Sequence, residues 1–560
     1  MPTIPYGSWP SPITAASLVE RAVSLSDLRV DGDALYWIEA RPSEAGRQVI
    51  VRWEPGSEPV DILPAPYSAR TTVHEYGGAA FTVAGGEVYF SNFADQAVYR
   101  LGDPTPIAAG ARYADFDVHG DRIVCVRERG DVNDIVELNS GDVVAAGHDF
   151  YAAPRFAPDG RLAWLAWDHP RMPWDGTLLE PGPVAGGPEE SITQPRWSPA
   201  GQLHWISDRT GWWNIYRGGQ PLQLMEAEFA EPDWVFGNSN YDFLPDGRVV
   251  AHWTGHLGVL GEPPLDLPFT SFDSVRVLDD DKVAAIAASP IHAPAVVVID
   301  PVTAEVTVVR ESRPTAVDRA YLSTPRTIDF PSTGGRTAHA LFYPPANPAC
   351  TGPAGELPPL VVTSHGGPTS QASTALNLRT QFWTSRGFAV VDVDYGGSSG
   401  YGRAYRRQLD GQWGVVDVDD CVAAAQYLAA AGQVDGRRMT IRGSSASGLT
   451  TLLALTRGTF AAGASLYGVA DLAALATDTH KFEARYLDGL VGPWPEAADV
   501  YRERSPITHA DKLKAPLIIF QGLEDKVVPP AQAEVLVDAL GRAGVPFAYL
   551  TFEGEAHGFR

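Results

Sequence analysis

The sequence predicts two domains of different class, a β-propeller of seven blades followed by an α/β domain built on a doubly wound, mostly parallel sheet. Three observations carry this. A strand–turn–strand unit recurs through the first three hundred residues, short apolar strands alternate with helical stretches after about Thr327, and a serine sits at a strand-to-helix corner in the second half.

The repeat is clearest in PRFAPDGRLAWLAW and PRWSPAGQLHWISD, which begin at 154 and 195. Fainter copies read LRVDGDALYWIEA, FTVAGGEVYFSNF, FDVHGDRIVCVRE, YDFLPDGRVVAHW and VRVLDDDKVAAIA. Aligning the turn residue gives Gly32, Gly86, Gly120, Gly160, Gly201, Gly247 and Asp281, a mean step of about 42 residues. Strand-rich repeats of roughly 40 to 45 residues have the size of one four-stranded propeller blade, which buries its faces only by stacking on its neighbours. A pair of β-sandwiches is the competing reading, but sandwich hairpins recur at shorter spacing.

In the second half, uninterrupted apolar runs (PLVVTS, FAVVDVDY, RMTIRG, GASLYG, PLIIFQG, FAYLTF) are separated by helical stretches such as 417–432 and 531–544. Such strands are buried on both faces, as in a parallel sheet covered by helices. The strand 438–442 runs into GSSASG and then the apolar helix LTTLLALTRG. A nucleophile on a strained strand-to-helix turn needs small residues two positions to either side, and Ser445, with Gly443 before it, meets that need. The position two residues after it holds Ser447 where glycine is usual, with Gly448 following, so the motif is GxSxS, with a residue small enough to be tolerated at the turn but able to shift it. Downstream, Asp525 and His557 each follow a strand. The order Ser445, Asp525, His557 and their common position past strand ends are those of an α/β-hydrolase domain. Upstream, PLVVTS leads into His365-Gly366-Gly367-Pro368, where Gly367 is the expected oxyanion donor beside the amide of Ala446.

Composition bounds the function. With 43 basic and 68 acidic residues the chain carries −25, a field that repels phosphate backbones and anionic lipid, so no nucleic-acid or membrane partner is expected. A length of 560 residues exceeds one core of roughly 250 to 300 residues. Gly 55 and Pro 46 imply many turns. Cys125, Cys350 and Cys421 lie far apart, suggesting neither a disulfide framework nor a zinc site, and no metal or cofactor is expected. The amino-terminal stretch lacks a basic region followed by an apolar run, so a cytoplasmic location is expected.

A propeller followed by SHGGPTS, DYGGSSGYGRAYR (394–406), WGVVDVDDC (413–421), GSSASG, GLEDKVVPPAQ and GEAHGF, in that order, resembles the prolyl oligopeptidase family of serine peptidases over nearly the whole chain. The HGGP form is similar to its acylaminoacyl peptidase and aminopeptidase branch. RTTVHEYGGAAF (70–81), WDHPRMPWDG (167–176) and SDRTGWWNIYR (207–217) are similar to bacterial members that include puromycin-hydrolysing aminopeptidases. The resemblance implies Ser445 as nucleophile, Asp525 as orienting acid, His557 as general base, and Gly367 and Ala446 as oxyanion donors, the set the residues themselves suggest. It also implies a helix after the last strand, so the chain is expected to stop at Arg560 about one helix short.

The expected organisation is an amino-terminal segment (1–27) on the hydrolase domain, a propeller (28–318) and the hydrolase (319–560). The expected activity is hydrolysis of short peptides by an aminopeptidase, dipeptidyl- or acylaminoacyl-peptidase, because a propeller over the site restricts entry. An esterase or amidase of small aminoacyl compounds, with the same triad, is the alternative. A silent propeller scaffold is the reading from another class. Glu75, Asp175 and Glu231 are candidates for holding a free amino terminus and Arg171 for a peptide carboxylate; His365 is expected to shape the glycine turn, with a contact to bound substrate as the alternative. Trp174, Trp212 and Trp213 are expected to pack between blades, and Tyr395 and Tyr401 to support the loop beside the site. The oligomeric state is left open, homo-oligomers included.

Overall fold

In the computed structural model every residue is described except 21, 183, 314–316 and 560. The chain divides into two compact units, Arg21–Pro314, and Met1–Glu20 together with Thr315–Arg560.

The first unit is a propeller of seven sheets, five of four strands and two of three, each antiparallel and built from consecutive strands. The seven aligned turn residues all take left-handed backbone angles, with φ between 61° and 88°. Six are glycine, which reaches that region without strain, and Asp281 is the exception. The first and last blades share a core: Leu28, Leu35, Trp37 and Val49 of the first cluster with Phe81 and Phe90 of the second and with Ala284, Ile286 and Val296 of the last. The fully buried Glu39 of the first blade takes two hydrogen bonds from Arg310 of the last, at 2.7 and 3.1 Å, and is also bonded by Arg41. Both contacts close the ring.

Five blades carry the same irregularity in their first strand. Register slips between Ser26 and Arg29, Ala114 and Asp117, Ala152 and Arg155, Thr193 and Arg196, and Asp273 and Arg276. The residue inside each bulge has a left-handed φ of 50° to 58°: Asp27, Asp115, Ala153, Gln194 and Ser274. A bulge re-aims the side chains around it. Here it brings Asp27 to Arg29 (2.8 Å) and Asp115 to Arg155 (2.6 Å), partly buried ion pairs of the inner strands.

The second unit holds an eight-stranded sheet: β1 (Arg326–Pro331), β2 (Thr337–Tyr343), β3 (Leu360–Ser364), β4 (Ala389–Asp394), β5 (Met439–Ser444), β6 (Ala462–Leu466), β7 (Leu517–Gly522) and β8 (Phe547–Phe552), in the order β1-β2-β4-β3-β5-β6-β7-β8. β1, β2 and β4 pair antiparallel and all later pairs are parallel. Four helices matter for the site: α1 (Leu378–Thr384), α2 (Val416–Ala430), α3 (Ala446–Leu455) and α4 (Pro530–Ala543). Every residue of α3 is buried, as its sequence ASGLTTLLAL requires.

The amino-terminal segment joins this unit. Ile4 N–H donates to Thr351 C=O (2.9 Å), and Trp9, buried, donates its amide to Arg386 C=O (3.3 Å). The expected boundary at 27/28 falls inside a strand, because Ser24–Asp31 is the first strand of the first blade. The bulge at Asp27 breaks the alternation that would have marked the strand in the sequence.

Candidate active site

Ser445 lies between β5 and α3 with φ 54° and ψ −124°, a conformation rare outside glycine. Its N–H donates to Leu466 C=O of β6 (3.0 Å), and its own C=O accepts from Gly448 N–H (2.9 Å), so the strain is held by the sheet and the helix. A side chain at Gly443 would meet Ser447 C=O at 2.1 Å, which accounts for the small residue before the serine. Ser447 is tolerated in the turn. Its buried hydroxyl accepts from Ser444 N–H and donates to Ser444 C=O, both at 2.9 Å, closing the corner from within. Close approach passes to Gly448, where a Cβ would stand 2.3 Å from Gly468 Cα.

His557, past β8, places Nε2 2.8 Å from Ser445 Oγ and Nδ1 2.8 Å from Asp525 Oδ2. The carboxylate only accepts, so Nδ1 carries the hydrogen and Nε2 is left to accept from the serine hydroxyl. Asp525, past β7, is fixed in turn: its Oδ1 accepts from Val527 and Val528 N–H, both at 2.9 Å, and its side chain is buried. The two loops are tied by Glu524 N–H donating to Glu555 C=O (2.9 Å). Tyr467 presents its ring edge-on to the imidazole at 4.8 Å and is backed by Phe559 at 5.1 Å. Neither ring was singled out in the sequence; Tyr467, with φ 40°, sits in GASLYG just past β6.

Gly367, past β3, and Ala446 line one pocket with Ser445. Ala446 is the first residue of α3, so its N–H has no intrahelical partner. This pocket spans about 430 Å³, space open to solvent included, and is walled by Pro368, Trp413, Val469, Leu475, Tyr486, Leu487, Leu490, Val527 and Val528, with Thr479 and Glu483 as further polar members. The segment 469–490 supplies half of it. Its apolar residues read in the sequence as ordinary core, so they gave no signal.

Behind the glycine turn, both ring nitrogens of His365 are taken by the chain: Nδ1–H donates to Gly366 C=O (2.9 Å) and Nε2 accepts from Ser398 Oγ (2.6 Å). Burial holds its imidazole down at about 4, so it stays neutral in this role. His365 therefore shapes the turn, the reading preferred over a contact to substrate, and both its ring nitrogens are engaged there. Tyr395, fully buried against the His365 ring at 4.4 Å, donates to Pro368 C=O (2.7 Å). Tyr401 donates to Asp394 Oδ2 (2.8 Å), whose Oδ1 accepts from Ala372 N–H (2.7 Å). Both tyrosines support this loop.

The remaining sequence candidates belong to the propeller unit. Glu75 is half-buried with φ 68°, Asp175 Oδ2 accepts from Met172 N–H (3.1 Å) in a turn, Glu231 is exposed, and half-buried Arg171 donates its amide to Asp168 C=O (3.2 Å). Trp174 is buried with its ring 4.5 Å from Trp234, Trp213 is buried, and Trp212 is half-buried. Among the described residues no group of three or more His, Cys, Asp or Glu side chains is placed to hold a metal ion, and no helix is long and apolar enough to cross a membrane.

Comparison with known proteins agrees with this geometry. A family model described as the prolyl oligopeptidase family matches residues 374–560. The chain is 33% identical over 208 residues to dipeptidyl aminopeptidase BIII of Pseudoxanthomonas mexicana, covering 36% of this chain and 30% of that one. It is 31% identical over 212 residues to the acylamino-acid-releasing enzyme of Arabidopsis thaliana, covering 36% and 28%. The match thus spans less than a third of the length of these curated relatives. Solved structures are similar throughout: a puromycin-hydrolyzing peptidase of Mycobacterium tuberculosis superposes with a TM-score of 0.95 at 41% identity, over 100% of this chain and 95% of that one. A puromycin hydrolase gives 0.94 at 39%, over the same shares. With a propeller, a hydrolase sheet and this likeness along its full length, the chain belongs to the prolyl oligopeptidase family.

Proposed function

We propose that the chain is a serine peptidase that releases aminoacyl groups from short peptides through an acyl-enzyme on Ser445. The observation that carries this reading is the relay from Asp525 through His557 to Ser445, with both links at 2.8 Å on a strained corner. In the proposed reaction Ser445 Oγ attacks the scissile carbonyl while its proton passes to His557 Nε2. The oxyanion is held by the amides of Gly367 and Ala446. Asp525 stabilises the imidazolium, which then gives its proton to the leaving amine, and water, deprotonated by the same imidazole, hydrolyses the ester.

The relatives support peptide-like substrates: they include a dipeptidyl aminopeptidase, acylamino-acid-releasing enzymes, and a puromycin hydrolase mutant complexed with PGG. Glu75 and Arg171 are the proposed propeller contacts for the amino and carboxylate ends of a peptide. The puromycin-hydrolysing neighbours favour a second reading, cleavage of small aminoacyl amides by the same triad. A fluorophosphonate probe tests the common chemistry: it should modify the wild type and leave Ser445→Ala unlabelled, and a folded wild type that resists labelling would sink both readings. A peptide library with free and acetylated amino termini, read by mass spectrometry, then names the group released.

A further inference from the structure

The propeller unit holds a cavity of its own, about 590 Å³ with space open to solvent included. The inner strands Arg112–His119, Phe150–Phe156 and Ile192–Trp197 border it, together with the segment 233–238. Its walls include the rings of His74, Trp167, Trp234 and Phe236, with the His74 ring 4.7 Å from Phe236 and 5.6 Å from Trp167. Asp115, Arg155, Arg196 and Asp233 are its charged members. The first three are compensated. Arg155 pairs with Asp115 (2.6 Å) and donates to Pro154 C=O (2.8 Å), while Arg196 reaches Asp242 (3.4 Å) and donates to the Ser239 hydroxyl. Asp233 differs. It accepts from the Thr193 hydroxyl and from Asn238 Nδ2 (2.8 Å), and among the described residues no cation pairs with it. Burial pushes its carboxyl up to about 6, so it is mostly ionised at neutral pH.

We infer that this cavity binds a protonated primary amine on an apolar stem, with Asp233 as its counter-ion and the surrounding rings against the stem. A carboxylate has about four lone-pair sites, and the two that Thr193 and Asn238 leave open suit the N–H groups of an ammonium. A buried charge without a counter-charge is costly, and aromatic faces attract a cation. An anion would find both guanidiniums already paired and would add to the charge of Asp233. A small free amine and the amino end of a peptide share this chemistry. The inference uses residues of the propeller unit alone and does not depend on Ser445 being the nucleophile.

The test is calorimetric titration of the full chain with phenethylamine, phenethyl alcohol, hydrocinnamate and phenethyltrimethylammonium, which share one stem and differ in the head group. The amine should bind at least tenfold tighter than the other three, and Asp233→Asn should weaken it about tenfold to hundredfold, the range of hydrogen bonds to a charged group. The wild-type series decides the matter even where Asp233→Asn fails to fold. Phenylalanylglycinamide, titrated into Ser445→Ala to exclude cleavage, separates the two sources: tighter binding than phenethylamine marks a peptide amino end, weaker binding a small amine, and either must be lost on Asp233→Asn. No binding of the amine at millimolar concentration, equal affinity for any of the other head groups, or affinity that survives Asp233→Asn overturns the inference. So does loss of amine binding once a fluorophosphonate has labelled Ser445, since the amine would then occupy the other pocket. A chain that resists the label refutes the nucleophile alone, and the titrations still decide this cavity.

Discussion

Replacing Asp525 by asparagine isolates what the carboxylate does. One oxygen accepts from two buried backbone amides, those of Val527 and Val528, and the other accepts from His557 Nδ1. Asparagine has a single oxygen. If that oxygen stays on the backbone amides, the side-chain NH₂ faces His557 and selects the tautomer with Nδ1 bare and Nε2 protonated, which cannot accept the serine proton. If the amide flips, the oxygen reaches His557, but two buried N–H groups face a donor, at about 1 to 3 kcal/mol each. Flipping therefore costs about 2 to 6 kcal/mol, so the productive rotamer is populated roughly thirtyfold to twenty-five-thousandfold less. The loss of about 10⁴ in kcat when the carboxylate of a Ser-His-Asp triad becomes an amide lies toward the upper end of that range. Turnover of an aminoacyl 4-nitroanilide by Asp525→Asn, with circular dichroism to show the fold intact, measures it. Because the backbone bonds survive, the melting temperature should stay close to wild type. Asp525→Ala, which strands both amides, should lower stability by about 2 to 6 kcal/mol as well. Asp525→Asn that keeps more than a tenth of wild-type kcat would refute the tautomer argument.

Three further outcomes follow from particular contacts. Gly448→Ala drives a methyl to 2.3 Å from Gly468 Cα, so denaturant unfolding should show a loss of about 1 to 3 kcal/mol, and an unchanged midpoint would deny the close approach. Asp115→Ala removes the carboxylate bonded to Arg155 and to Ala153 N–H, leaving a partly buried guanidinium unpaired; thermal melting should reveal destabilisation of about 3 kcal/mol, partly recovered by Asp115→Asn, and equal melting of wild type and alanine variant counts against it. Burial, opposed by the Ala372 amide and reinforced by Asp392, pushes the Asp394 carboxyl up to about 7, above the ordinary 3.8. Its contribution to stability is whole below about pH 4 and is lost as pH rises through 7. The fall in melting temperature between pH 5 and 8 should shrink in Asp394→Asn, and equal falls would exclude this carboxyl as the source.

The propeller was legible because its turns constrain sequence and its strands hardly do. A hairpin turn needs a left-handed residue, glycine meets that need without strain, and the seven positions therefore stand out at blade spacing. The five inner bulges demand similar angles, yet they hold Asp27, Asp115, Ala153, Gln194 and Ser274. There no single residue type is required, and residues 24–27 of the first blade's strand were read as part of the amino-terminal segment.

The same contrast divides the candidate site. Ser445, Asp525 and His557 could be named because each needs a chemical type at a strand end, and the chain order limits the choice. Ser447 shows the limit of that logic: its place in the motif suggested a displaced turn, while its hydroxyl closes the turn on both polar groups of Ser444. The pocket beside Ser445 could not be named, since its walls come from five separate stretches whose Trp, Leu and Val serve a binding wall and a hydrophobic core equally well. On the proposed reading of Ser445 as nucleophile, substitutions in these walls should change which substrate is taken before they change whether the protein folds.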